Sequence, residues 1–175
     1  FHGKPRLDEE LLFSLPPDDV VVTTACIASP INKYGDEYAE YFIQKCKEHF
    51  GKNFYLEVQP HTNIKQVEFN IKLSKWRKKF GVEMILGIDS HYIYKDDAGK
   101  RDLFLKGKKI EYPEEDGFII DYPTVDMVVS RMVEQNTLSE EEIVESFNNS
   151  LVTRDFEGVY MDKEIKMPSL YPELT

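Results

Sequence analysis

Three observations predict an α/β fold of mostly parallel strands followed by C-terminal helices. Residues 20–29 (VVVTTACIAS), 53–59 (NFYLEVQ) and 83–91 (EMILGIDSH) are short, largely apolar runs of strand length. A long helical pattern separates the second run from the third, so a single crossover joins them and the pair should be parallel. Both runs are apolar almost throughout, as strands covered on two faces must be.

Taken in order, residues 7–15 hold a short helical pattern that Pro16-Pro17-Asp18-Asp19 ends before the first strand. From Asp36 to Phe50, Tyr38, Phe42, Ile43 and Cys46 recur at helical spacing, and Gly51 stands where a left-handed cap belongs. After the second strand, Asn63 is placed to cap a long helix on which Phe69, Leu73, Trp76 and Phe80 recur every three or four residues, ended by Gly81. Beyond His91 the sequence turns polar and irregular through Asp96-Asp97-Ala98-Gly99, and 112–121 adds at most a short extended segment. Thr124 and Ser139 read as helix N-caps, the second paired with Glu142 in a capping box ahead of Ile143, Phe147 and Leu151. The tail KMPSLYPELT, with two prolines and no periodicity, reads as a linker. The domain reading is therefore 1–123 for the α/β part, 124–165 for a helical extension and 166–175 for the linker.

At 175 residues, 41% hydrophobic and 13% aromatic, the chain has material for one domain and little room for two. Charged residues make up 31%, no apolar run approaches the roughly 20 residues of a membrane span, and FHGKPRLDEELL is unlike a signal peptide. A cytoplasmic location without membrane contact is expected. Cys26 and Cys46 form no metal or disulfide spacing and are expected to be reduced thiols. The net charge of −10 works against a phosphate-gripping surface. Two basic clusters run against that trend: Lys75, Arg77, Lys78 and Lys79, and then Lys106, Lys108 and Lys109. Lys75, Lys78 and Lys79 are weak candidates for nucleic-acid contact, with a solvated face as the ordinary reading.

Chemistry is sought where ionisable residues interrupt or end apolar parallel strands, because α/β sheets and barrels place ligands there. Glu57 interrupts FYLEV, and burying its charge without a partner or metal would cost several kcal/mol. Asp89 and His91 lie two apart, which on an extended backbone directs both to one face. Two carboxylates and an imidazole suit a divalent ion such as zinc, manganese or iron. The competing reading is an Asp–His hydrogen bond ending a strand, with Glu57 held by a lysine or by backbone amides. His61 shares the face of Glu57 only if Pro60 does not end the strand, and is a supporting candidate together with Cys26 and Tyr92. His2 reads as terminal and His49 as helix-surface. Neither a nucleophilic triad nor a phosphate-binding glycine loop is present.

FHGKPRLDEELL, VVVTTACIAS, FYLEVQPH and ILGIDSHYIYKDDAGKRD follow one another, with Gln135-Asn136-Thr137 and MPSLYP later, in an order and spacing that resembles the PHP (polymerase and histidinol phosphatase) domain of bacterial DNA polymerase III alpha subunits. The resemblance covers nearly the whole chain and implies the C-terminal part of a distorted (β/α) barrel of PHP type. It implies metal ligands at strand ends, with Glu57 as the mid-domain carboxylate and Asp89 and His91 as the last Asp-x-His motif. Intact sites in the family use zinc, manganese or magnesium to hydrolyse phosphate esters, including proofreading in some members, whereas degenerate ones serve as support. The family's earlier His-x-His ligands have no counterpart in this sequence, so weak metal binding or none is implied for this chain, and no catalysis by it alone. Ala28-Ser29-Pro30 departs from the family's glycines after the cysteine, as in a divergent, phage-type member. Implied partners are the remaining PHP and polymerase domains of a longer parent, and DNA through that parent. An open barrel edge further suggests a homodimer.

Overall fold

The computed structural model describes residues 7–113 and 117–157. Three strands, β1 (Val22–Thr23), β2 (Phe54–Val58) and β3 (Met84–Leu86), form a sheet in the order β1-β2-β3 with both pairs parallel. Val22 lies opposite Phe54, and Glu57 opposite Ile85. Among the described residues this is an open sheet, and the α/β class with parallel strands matches the sequence reading.

Each crossover is helical, as parallel strands require. α1 (Glu9–Leu12) precedes β1; α2 (Pro30–Lys33) and α3 (Asp36–Phe50) carry the chain to β2. Then α4 (Ile64–Phe80) carries it to β3. The expected caps of α4 are present: the Asn63 side chain accepts from the Lys65 amide, and Gly81 adopts the left-handed conformation with φ 61°. Gly51 also has positive φ where α3 ends. The first strand is much shorter than 20–29, because Ala25 takes a left-handed φ of 56° and turns the chain out of the sheet.

Phe54, Leu56 and Val58 of β2 point into a core shared with Ile43, Cys46 and Phe50 of α3 and Phe69, Leu73 and Trp76 of α4. Burying a large apolar side chain stabilises by about 1.5–3 kcal/mol, and this layer holds the sheet. Val128, Met132 and Ile143 join the same core from α6 (Val125–Gln135) and α7 (Glu140–Asn149), so the helical extension is packed on the sheet. The predicted caps are formed: Thr124 accepts from the Met127 amide, and Ser139 and Glu142 complete a capping box. α7 lies along β3, where the Asn149 amide donates to the Met84 carbonyl at 2.8 Å and covers part of that edge.

The helix α5 (Ala98–Lys108) occupies a segment read from sequence as irregular. It buries no residue, and Leu103 and Phe104 are 73% and 61% exposed. Without an apolar stripe facing the core, nothing in its pattern announced a helix. The 112–121 segment forms no strand among its described residues. Its end instead runs beside 90–93: His91 N–H donates to the Ile120 carbonyl at 2.8 Å and Tyr122 N–H to the Ile93 carbonyl at 3.1 Å. Both cysteines are free thiols. Cys46 is fully buried, and burial pushes its thiol up to about 12. His49 is partly buried and not a surface residue, its ring 3.0 Å from the Leu15 carbonyl and edge-on to Phe13 and Phe50. His2 and the proposed linker 166–175 fall outside the described residues.

Candidate functional site at the strand ends

All three strands run the same way, so their C-terminal ends share one rim, and the segments after them supply its side chains. Two of those segments leave the sheet through left-handed non-glycine residues, Ala25 after β1 and Asp89 (φ 44°) after β3. Such residues are uncommon and concentrate where function constrains the backbone. The extended backbone expected through Asp89 and His91 is therefore broken at Asp89, which is left-handed, and the chain bends from His91 onward. The two side chains still meet, with His91 Nε2 3.3 Å from Asp89 Oδ1, and are about a third exposed at 33% and 37%.

Glu57 lies on the opposite face of β2 from the apolar core. Its Oε2 accepts from the Thr23 hydroxyl at 2.6 Å, and its Oε1 from the Gln59 side-chain amide at 2.9 Å. The partners are thus neutral side-chain donors, neither the lysine nor the backbone amides anticipated. Room for the carboxylate comes from Gly87, where a Cβ would stand 2.2 Å from Glu57 Oε1. Cys26 is close enough to feel both carboxylates: burial first, then the charges of Asp89 and Glu57, raise its thiol, against the Ala28 backbone hydrogen bond.

His91 is bounded on its other side by Arg101 of α5, whose Nη2 is 2.8 Å from His91 Nδ1. A guanidinium carries only donors, so Nδ1 must offer its lone pair and the ring proton sits on Nε2, facing Asp89. Arg101 also stands over the Tyr112 ring, 5.8 Å from its centre. Tyr92 does not reach this group; its hydroxyl accepts from the Ile120 amide at 3.1 Å and holds the segment beside 90–93.

His61 is nearly inaccessible, at 3% exposure, and edge-on to Phe118. Its Nδ1 is 3.1 Å from the Ile119 carbonyl, which can only accept, so Nδ1 carries the proton. The remaining nitrogen, Nε2, is buried and has no hydrogen-bond partner. Burial dominates in lowering the pKa of His61; the Ile119 carbonyl and the charge of Asp89 oppose it, Arg131 adds to it and Asp121 opposes it. Arg131 is itself engaged by Asp121 in a bidentate pair at 2.7 and 2.9 Å, with Asp121 3% exposed.

A buried amide network fixes the backbone that carries His61. Gln135 Nε2 donates to the carbonyls of Gln59 and His61, each at 2.8 Å, while Asn70 Nδ2 donates to the Gln59 carbonyl at 2.9 Å and to Gln135 Oε1 at 2.6 Å. Gln66 Nε2 donates to Asn70 Oδ1 at 2.9 Å. These residues were missed in the sequence, although Gln66, Asn70 and Ser74 mark a polar stripe four residues apart on a helix otherwise read by its apolar positions. Arg101, Asp121 and Arg131 were missed too, and no spacing in the sequence signals them.

At the rim Asp89 contacts His91, and its charge is felt by Cys26 and His61, but among the described residues no three His, Cys, Asp or Glu side chains are gathered to hold an ion. The ligand set Glu57, Asp89 and His91 does not fit a metal as arranged. Both Glu57 oxygens are engaged, and His91 presents a proton, not a lone pair, toward Asp89. The basic residues of α4 lie at the opposite end of the sheet, since α4 runs back from the rim. There Lys79 pairs with Glu40 at 2.6 Å, Lys78 lies 3.8 Å from Glu142, and Arg77 contacts Glu142 and Glu145. Lys75 is exposed on the same helix.

No protein-family model matches the chain. It is similar to DNA polymerase III subunit alpha of Borreliella burgdorferi, with 32% identity over 111 residues, covering 60% of this chain and 9% of that protein. The probable DNA polymerase YorL of Bacillus subtilis is 28% identical over 181 aligned positions, covering 79% of this chain and 14% of that protein. DNA polymerase III subunit alpha of Aquifex aeolicus is 33% identical over 101 residues, 55% of this chain and 9% of that protein. The aligned part spans only 9–14% of the length of these relatives. No described helix is long and apolar enough to cross a membrane.

Proposed function

We propose that this chain is a segment of a replicative DNA-directed DNA polymerase of the polymerase III alpha type, where it forms part of a PHP-like domain that braces the neighbouring domains. The observation that carries this reading is the similarity to DNA polymerases of several bacteria, over 55–79% of the chain in the three relatives described. The fold agrees with it in kind, since a parallel sheet with side chains collected at its strand ends suits such a domain. Bracing is favoured over hydrolysis because the rim carboxylates and His91 are spent on internal hydrogen bonds. A metal-dependent phosphoesterase built on Glu57, Asp89 and His91 would need those bonds undone. DNA contact belongs, in this reading, to other parts of the parent, because three of the four clustered cations on α4 face carboxylates.

Primer extension by the product of the complete reading frame tests the proposal. Template-directed incorporation of deoxynucleotides is expected, together with a lower melting temperature of the polymerase portion when this segment is removed. A parent with no polymerase activity, or one whose polymerase portion is indifferent to the deletion, would overturn it.

A further inference from the structure

Among the described helices of ten residues or more, α5 alone buries no residue, whereas α3, α4, α6 and α7 each bury at least three. An isolated helix shorter than roughly 12–15 residues is marginal in water. α5 has 11 residues and carries two glycines, Gly99 and Gly107, which are poor helix formers. This chain supplies it little support: Arg101 reaches His91 and stands over Tyr112, Lys100 pairs with Asp97, and Leu105 and Lys109 border an open groove.

The outward side of α5 is nevertheless ordered. Lys100, Leu103, Phe104, Gly107 and Lys108 recur at spacings of three and four, which places them on one face. Leu103 and Phe104 are among the most exposed apolar side chains described, and a Cβ at Gly107 would meet nothing within 4 Å. Residues 98–109 hold five cations and one carboxylate in a chain of net charge −10. Among the described residues Lys106, Lys108 and Lys109 pair with no carboxylate, unlike the α4 cluster, where three cations do.

Resting on the polymerase reading above, we propose that the outward face of α5 docks into an apolar groove edged by carboxylates on the remainder of the parent polymerase. Leu103 and Phe104 enter the groove, Gly107 lets the partner's backbone approach closely, and Lys106 and Lys108 meet its acidic edge. Burial of this face supplies the packing that an 11-residue helix needs and this chain does not provide. A nucleic acid fits less well, because Leu103 offers no ring on which a base can stack. Pairing α5 with α5 of a second copy would set five cations against five.

Hydrogen–deuterium exchange of the product of the complete reading frame, read by mass spectrometry on peptides covering 98–108, tests the proposal. These amides should exchange at least about tenfold more slowly in the parent than in the parent carrying Leu103→Glu with Phe104→Glu. Gly107→Leu raises intrinsic helix propensity, and its Cβ meets no atom of this chain, so its expected loss of protection reads blocked docking and not a weakened helix. Carbodiimide coupling should join Lys106 or Lys108 to an Asp or Glu outside this segment. Exchange equally fast in the parent and both variants, protection that appears only when primer–template DNA is added, or protection lost on dilution as a second copy dissociates would each overturn the proposal. Primer extension on the same preparations separates the two readings. An active polymerase with unprotected α5 overturns the docking face alone, and an inactive parent with protected α5 overturns the polymerase reading alone.

Discussion

The two sides of the rim are built by different means. Around His61 the backbone is held by side chains from two helices, Asn70 of α4 and Gln135 of α6, all buried and hydrogen-bonded to main-chain carbonyls. Around His91 the backbone is tied to the Ile120 carbonyl, and the ring lies between Asp89 and Arg101 of α5, a helix that buries none of its residues. The first arrangement has little freedom to relax, because every removed partner strands a buried polar group. The second is exchangeable with water. Rigidity at this rim thus follows the buried network and not the Asp-x-His motif that is most conspicuous in the sequence.

Substitutions on the two sides should separate accordingly. The largest loss is expected from Asp121→Ala, which leaves the guanidinium of Arg131 largely buried and unpaired; chemical denaturation should show a loss of about 3–5 kcal/mol. The same pair gives a pH signature. The Arg131 hydrogen bonds hold the Asp121 carboxyl below its usual 3.8. The unfolded chain therefore binds the proton first, so the stability from this pair is present above about pH 4 and is lost as pH falls through the folded value. Acid unfolding of Asp121→Asn should show a shallower pH dependence than wild type in that window.

Next, Asn70→Ala should cost about 1–3 kcal/mol by stranding the Gln66 side-chain amide and taking one donor each from Gln135 Oε1 and the Gln59 carbonyl. Gly87→Ala, on β3's exit, should cost about 1–3 kcal/mol by driving a methyl into Glu57, and should free the Thr23 hydroxyl to exchange its proton with water. Arg101→Ala should be the mildest, within about 0.5 kcal/mol in denaturation, while releasing the His91 tautomer. An Arg101→Ala loss as large as that of Asn70→Ala would break the contrast between the two sides.

Much of the fold was legible in the sequence because its strands and helices carry strong periodicity and chemical stops. Gly81, Asn63, Thr124 and the Ser139–Glu142 box sit where their caps form, and the long crossover gave the parallel pair. α5 escaped because an exposed helix has no buried stripe to reveal. The site was read only in outline. Glu57, Asp89 and His91 were found as ionisable residues at strand ends; Asp89 and His91 meet there, while Glu57 is held by Thr23 and Gln59. Their hydrogen-bond states depend on residues far along the chain: Thr23 for Glu57, Arg101 for His91, and Ile119 for His61. A tautomer is decided by the partner across space, which local spacing cannot encode. His61 was read only as a supporting candidate because Pro60 was expected to end the strand before it.

The assignment of opposite tautomers is tested most directly by long-range proton–nitrogen correlation of the metal-free chain near neutral pH. The structure requires His61 to carry its proton on Nδ1 and His91 on Nε2. Both rings protonated on the same nitrogen, or His91 carrying its proton on Nδ1, would contradict the account of this rim.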